Sequence, residues 1–177
     1  MKKVVLLLVI PLMLSCVDPY SILNKLTLQE LKDLHKMGDA NREEIKDYMI
    51  LKGWALKSDN EDTLSLVYGQ FPEDTVSAIL EYIVARDMEK YTGTGSAYKD
   101  FPYIRYATYD SNHYQSIINE LHKPGSEWEL TTIYGVDYID PSVSWHLYSD
   151  IRKVENKTMY DIYLFDFREL DIIGRRY

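Results

Sequence analysis

Apolar residues recur at helical spacing in a segment that begins near residue 27. The apolar stripe consists of three leucines on one side of a helix: Leu28, Leu31 and Leu34. Thr27 and Glu30 form a capping-box pattern, in which each side chain accepts a hydrogen bond from the other residue's backbone N–H. The pattern predicts a first helix that begins after Thr27 and ends at Gly38.

A second helical pattern follows after a short connection. Asn41 is a favourable N-cap, and Glu43 and Glu44 lie in the first turn, where the helix dipole favours negative charge. The apolar side of this helix contains Ile45, Tyr48 and Met49. We predict that Gly53 ends the helix and that the two helices form an αα-hairpin.

Beyond Gly53 the pattern changes from helical spacing to alternation. Residues 54–57 and 64–69 flank a polar turn at 59–62, and the second run alternates as a strand does. Residues 76–86 fit a helix and a strand equally well, because their apolar residues occur at both i, i+3, i+4 and i, i+2 spacings. Periodicity alone therefore leaves this segment open.

A similar order of motifs later in the chain favours a strand at 76–86. The recurring motifs stand at 54–57, 67–69 and 76–82, and again at 128–131, 133–135 and 143–148. The later counterpart of the ambiguous segment alternates aromatic and β-branched residues, which suit a pleated surface. We therefore predict a strand at 76–86.

The second half of the chain repeats a helix followed by strands. Residues 103–109 predict a strand, with Tyr103 and Arg105 on one face and Ile104 and Tyr106 on the other. The elements predicted after it are a helix from 110 or 111 to 121 and strands at 127–134, 142–152 and 159–167.

The order of elements predicts an α+β fold. An N-terminal αα-hairpin precedes an antiparallel sheet in two related helix-plus-β-meander halves, 26–109 and 110–177, with the helices on one sheet face. We expect the halves to form one compact domain. Such tandem halves resemble, in architecture, the β-lactamase-inhibitor-protein fold and the folds of small outer-membrane-assembly lipoproteins. The resemblance implies an arrangement only, because one fold serves many functions.

The first residues have the pattern of an export signal. Lys2 and Lys3 precede an apolar run at 4–14, and the small residue Ser15 precedes Cys16, the single cysteine of the chain. This run has eleven residues, well short of the roughly 20 needed to span a bilayer as a helix. The pattern therefore predicts a cleaved signal peptide rather than a transmembrane helix.

Residues 13–16 resemble the lipobox of bacterial lipoproteins. The resemblance implies removal of residues 1–15, diacylglycerol on the Cys16 thiol, an acylated amine (palmitate) and a lipidated tether at 16–25. We therefore expect the protein to be lipid-anchored in the cell envelope. Asp18 stands one residue beyond the position where aspartate retains enterobacterial lipoproteins in the inner membrane, which favours the outer membrane.

The net charge limits the partners of this protein. The formal charge is −8, and removal of residues 1–15 takes away Lys2 and Lys3 and no acid, so the charge of the mature chain is −10. Nucleic-acid binding depends on cations that neutralise phosphates, and docking on anionic headgroups has the same requirement. Both functions are disfavoured. We expect the protein to contact the membrane through the lipid on Cys16 instead.

The motifs of common enzymes are missing from the sequence. The four histidines, at 35, 113, 122 and 146, include no pair at i, i+4 around a glutamate. Residues 93–96 lack the spacing of a phosphate loop, and no serine stands in a G-x-S-x-G elbow. We therefore expect no catalytic residues, no cofactor and no metal. A metal site assembled by the fold from His113, His146 and acids is the remaining alternative.

Tyrosine is abundant, with 16 residues against 4 phenylalanines, and a tyrosine ring can pack while its hydroxyl reaches water. The candidate binding face consists of Tyr103, Tyr106, Tyr134, Trp145, Tyr148 and Tyr163. Our leading hypothesis is a non-enzymatic protein-binding module, such as an assembly accessory, an inhibitor or an immunity protein. The alternatives are a glycan-binding surface lipoprotein, which requires coplanar exposed rings, and an envelope hydrolase.

Overall fold

The computed structural model describes residues 25–70, 75–85, 101–126, 128–130, 138–140 and 145–166. The described helices are α1 (Leu28–Ala40), α2 (Arg42–Leu51) and α3 (Ser111–Leu121). The described strands are β1 (Ala55–Asp59), β2 (Thr63–Gln70), β3 (Thr75–Ala85), β4 (Phe101–Thr108), β5 (Glu129–Leu130), β6 (Tyr138–Asp140), β7 (Trp145–Val154) and β8 (Lys157–Asp166). Among these described helices, none is long and apolar enough to cross a membrane.

Side chains cap each helix as the sequence predicts. At α1 the hydroxyl of Thr27 accepts from the Glu30 N–H at 3.2 Å, and the Glu30 carboxylate accepts from the Thr27 N–H at 2.9 Å. At α2 the Asn41 Oδ1 accepts from the backbone N–H of Glu43 at 3.1 Å. Asp110 caps α3 in the same way. These bonds satisfy backbone donors that a helix leaves without internal partners.

We predicted that α1 ends at Gly38, but the helix continues to Ala40. Gly38 is buried where α1 meets α2 and the sheet. A Cβ atom at this position would lie 2.4 Å from Cε2 of Tyr82 and 2.6 Å from Cδ1 of Ile45. The glycine therefore serves close packing rather than helix termination.

The described strands form one eight-stranded antiparallel sheet in the order β1-β2-β3-β4-β8-β7-β6-β5. The first four strands form one meander and the last four form another. The halves meet where β4 pairs with β8, in a register that places Arg105 opposite Tyr163. Each meander contributes its last strand to the centre of the sheet. The prediction of an α+β fold with helix-plus-meander halves is confirmed.

Residues 76–85 of the ambiguous segment form a strand, because they fall in β3, which pairs with β2 and β4. Residue 86 lies outside the described residues. The strands predicted at 127–134, 142–152 and 159–167 overlap β5, β7 and β8. The sequence pattern does not predict β6, since Gly135, Asp137 and Pro141 surround it and such residues are rare in strands.

All three described helices pack against one face of the sheet. The strand residues buried by this face occur at alternate positions: Leu64, Leu66, Ala78, Leu80, Tyr82, Ile104, Tyr106, Trp145, Leu147, Ile162 and Leu164. The helices contribute the predicted leucines of α1 together with Ile45, Met49 and Ile117. Tyr48, predicted on the apolar side of α2, is instead exposed, with Lys52 Nζ 4.9 Å from its ring centroid. Each buried aliphatic side chain contributes about 1.5–3 kcal/mol.

His113 is a buried titratable residue of this core. Its ring lies edge-on to the ring of Tyr106, with the centroids 5.7 Å apart. Burial lowers the pKa of His113 below its ordinary value of 6.5, and the positive charge of Lys25 lowers it further. The folded state therefore favours the neutral imidazole.

We predict that Gly38→Ala lowers the free energy of unfolding by about 1–3 kcal/mol, because the added methyl group overlaps Tyr82 and Ile45. Helix propensity alone predicts the opposite, a gain of about 1 kcal/mol. Urea denaturation followed by tryptophan fluorescence distinguishes the two, since the sign of the change decides. A stabilised variant would contradict the packing role of Gly38.

We predict that the protein loses stability as the pH falls below about 6.5, because the unfolded chain binds the His113 proton more readily than the folded chain does. The contribution of the neutral imidazole is complete above the unfolded pKa and is lost between the unfolded and folded values. His113→Phe should flatten the dependence of the melting temperature on pH between about 7 and 5. An equal slope in both proteins would refute this assignment.

Candidate binding face

The sheet face opposite the helices carries the candidate site, and we call it the helix-free face. No helix among the described residues packs against it. Its side chains come from the strand positions that alternate with the core positions, such as Tyr103 and Arg105 beside the buried Ile104 and Tyr106. Alternation within single strands therefore supplies both the core and this surface.

Three tyrosines cross the helix-free face on neighbouring strands, and we call them the tyrosine row. Tyr103 lies on β4, Tyr163 on β8 and Tyr148 on β7. The ring centroids of Tyr103 and Tyr163 are 6.3 Å apart, and those of Tyr148 and Tyr163 are 5.5 Å apart. The rings are tilted by 43° and 44° to each other. All three side chains are half-buried, so the row combines packed rings with accessible edges.

Beside the tyrosine row, four charged side chains of alternating sign cross the sheet, and we call them the charge ladder. They are Glu81 on β3, Arg105 on β4, Asp161 on β8 and Arg152 on β7. Arg105 Nη1 donates to Glu81 Oε2, and Arg105 Nε donates to Asp161 Oδ1 at 2.8 Å. Arg152 Nε donates to Asp161 Oδ2 at 2.7 Å, and its Nη2 donates to Oδ1 at 3.2 Å. One carboxylate therefore holds two guanidinium groups.

Asp161 is the buried centre of this ladder. Its side chain is 0% exposed, whereas that of Arg152 is 44% exposed. Burial opposes the charge of the Arg105 guanidinium, but its hydrogen bond to Glu81 and the charges of Glu81 and Asp161 hold the pKa of Arg105 above its ordinary value. The guanidinium group of Arg105 therefore remains ionised, and Asp161 fixes Arg152 at the outer end of the ladder.

The tyrosine row and the charge ladder adjoin each other. The register places Arg105 opposite both Glu81 and Tyr163, and Tyr148 opposite Tyr163. Burial raises the pKa of Tyr103, and the nearby Tyr163 and Glu81 raise it further. The tyrosine therefore stays a neutral hydroxyl group next to the charge ladder.

The structure divides the residues predicted for the binding face. Tyr103, Tyr148 and Tyr163 lie on the helix-free face. Tyr106 and Trp145 lie instead on the helix-covered face and are 1% and 2% exposed, so neither belongs to the candidate site. Tyr106 follows Arg105 on β4, so its side chain points to the opposite face, which the helices cover. Trp145 is buried because its ring packs edge-on to that of His35 on α1, with centroids 5.1 Å apart.

Two other predicted sites lie outside the described residues. These are Tyr134 and the lipidation site Cys16. The charge ladder is a part of the face that the sequence analysis did not predict. A signal was present in β8, where the acidic Asp161 interrupts an alternating series that contains Met159, Tyr163 and Phe165. An acid among apolar residues on one strand face needs a partner, because an unpaired buried charge is costly.

The structure places His113 and His146, the two histidines of the alternative metal site, on different sides of the sheet. His113 lies in α3 with its ring against that of Tyr106, whereas His146 is on a strand position that shares the helix-free face with Tyr148. The fold therefore separates the two histidines that a metal site would need. Within the described part of the chain, no group of three or more metal-ligating side chains is placed to hold an ion.

Comparisons with protein-family models, with curated proteins and with solved structures found no match for this chain. The functional argument therefore depends on the residues and geometry of the face itself.

We predict that Asp161→Asn lowers the free energy of unfolding by about 3 kcal/mol, because it leaves two guanidinium groups without their shared anion. Asp150→Asn is a matched control, since Asp150 lies opposite Asp161 on the neighbouring strand and is half-exposed. The control should change stability by less than about 1 kcal/mol. Equal effects in urea denaturation would show that Asp161 has no special role.

Proposed function

We propose that this protein is a lipid-anchored envelope protein that binds a protein partner through its helix-free face and performs no chemistry. The observation that carries the proposal is the tyrosine row, which adjoins Arg105 of the charge ladder. The buried carboxylate of Asp161 holds both Arg105 and the more exposed Arg152. The lipobox-like segment at 13–16 supports the anchor. The variants of this function are an assembly accessory, an inhibitor or an immunity protein.

The composition of the face is that of a protein interface. Tyrosine and arginine are the residue types that, with tryptophan, dominate binding energy at interfaces. Arg152 loses little conformational freedom on binding, because Asp161 already holds its guanidinium group in two hydrogen bonds. The exposed part of Arg152 can donate to a carboxylate or a backbone carbonyl of a partner.

Two observations favour a protein over a glycan or an enzyme substrate. The tilt of 43° and 44° between neighbouring tyrosine rings does not give the single flat platform on which a sugar ring stacks. The carboxylates Glu81 and Asp161 are engaged by guanidinium groups, so their oxygens contact arginines of the ladder rather than an open cleft. A protein partner accommodates both features, because its side chains can fill spaces between tilted rings.

We predict that a photo-crosslinking amino acid at Tyr148 captures one reproducible envelope protein in cells, whereas the same amino acid at Tyr48 does not. Tyr48 is a matched control, because it is an exposed tyrosine on the helix-covered side. With the captured protein purified, Tyr148→Ala and Tyr163→Ala should each weaken binding at least about tenfold, as expected for interface hot spots. Equal capture from both positions, or unchanged affinity, would contradict the proposed face.

The anchor has a separate test. Mass spectrometry of the membrane-extracted protein should find an acylated peptide that begins at Cys16, and Cys16→Ala should abolish the acylation. A mature chain that begins at residue 17 or beyond would overturn the anchor and leave the binding face to be tested independently.

A further inference from the structure

The N-terminal segment joins the fold at a fixed place. Leu26 is fully buried in the core. Lys25 Nζ lies 3.3 Å from Oδ2 of Asp110, which is the N-cap of α3 and follows β4 by two residues. Lys25, the first described residue, therefore lies at the end of the sheet where β4 stops.

The β7–β8 hairpin turn belongs to the same end. Lys157, the first residue of β8, has its Nζ 5.8 Å from the ring centroid of Tyr109, the neighbour of Asp110. We call this end, formed by Lys25, Tyr109, Asp110 and the turn at 155–156, the N-terminal pole. Its charged residues are of both signs, since Asp110 and Glu155 lie among the lysines. The charge of this pole therefore does not by itself favour binding to a charged membrane surface.

The tyrosine row lies toward the opposite end of the strands. Tyr103 precedes Thr108, the last residue of β4, by five residues, which corresponds to roughly 17 Å at the rise of a strand. The register continues this offset across the sheet, because Tyr103 pairs with Phe165 and Thr108 pairs with Tyr160. The tyrosine row and the N-terminal pole are therefore separated along the strand direction.

The reach of the tether is limited, since even at full extension it is less than twice this separation. Eight residues stand between Cys16 and Lys25, and even a fully extended chain of this length spans only about 30 Å. If the tyrosine row faced the bilayer, more than half of that length would have to run along the sheet before the tether reached the bilayer. Such stretching removes conformational freedom from the tether and is unfavourable.

We infer that the N-terminal pole faces the lipid bilayer and that the tyrosine row points away from it. The inference rests on the proposed lipid anchor at Cys16. The bilayer is the surface that this pole approaches, and the acyl chains, rather than the pole's charge, hold it there. The orientation presents the tyrosine row to a partner in the aqueous space and leaves the hairpin turn at the headgroups.

The single native cysteine allows a direct test. In the acylated full chain Cys16 is blocked, so a cysteine added elsewhere can be labelled alone. We would compare Asn156→Cys in the hairpin turn with Glu61→Cys in the β1–β2 turn. The second turn lies at the far end, because Thr63 pairs with Ile83 and Ile83 pairs with Tyr103. Both positions are exposed.

Each acylated variant is labelled with an environment-sensitive fluorophore. It is then reconstituted in vesicles of phosphatidylethanolamine and phosphatidylglycerol that contain a lipid with a nitroxide on its headgroup. We expect a severalfold larger fluorescence loss at residue 156 than at residue 61. Equal losses, or a larger loss at residue 61, would overturn the orientation. Intact mass measured on the same samples reports acylation separately, so a failed anchor is distinguished from a wrong orientation.

Discussion

The pairing of β4 with β8 is the interaction on which the rest of this structure depends. These two strands come from opposite halves of the chain, and their pairing converts two meanders into one sheet. The seam is reinforced on one side by packing of Ile104 and Ile162 in the core and on the other by the ion pair of Arg105 with Asp161. Because Asp161 is buried, its charge is tolerable only while both guanidinium groups remain in contact with it. The same contact that joins the halves therefore also shapes the candidate binding face.

The two faces of the sheet have divided roles. The helix-covered face carries the stabilising apolar contacts, and Gly38 lets α1 approach the ring of Tyr82 there. The helix-free face carries ionised and hydroxyl groups that a hydrophobic core would exclude. Since the long strands supply alternate residues to the two faces, a change at the tyrosine row need not disturb the helix packing. A binding surface can thus vary while the fold is retained.

The proposed lipid anchor and the candidate binding face are connected through one sheet. Leu26 and the ion pair of Lys25 with Asp110 hold the start of the described chain at one end of the strands. The tyrosine row lies toward the other end. With the proposed anchor at Cys16, this placement would orient the domain at the membrane. Such an orientation would suit a module that holds a partner at a defined distance from the bilayer.

The sequence by itself determined the helix starts and strand faces that depend only on residues close together in the chain. The capping residues Thr27, Asn41 and Asp110 and the periodicity of the helices specify where each helix begins. The alternation in β4 assigns Tyr103 and Arg105 to one face and Ile104 and Tyr106 to the other, because side chains on a strand alternate by geometry. Only the tertiary structure decided which side of β7 the helices cover, and therefore that Trp145 is buried. It also decided that β4 pairs with β8 at the seam. It also showed that Gly38 is a packing residue and that Asp161 binds two arginines. These features depend on contacts between residues far apart in the chain, and no local pattern specifies them.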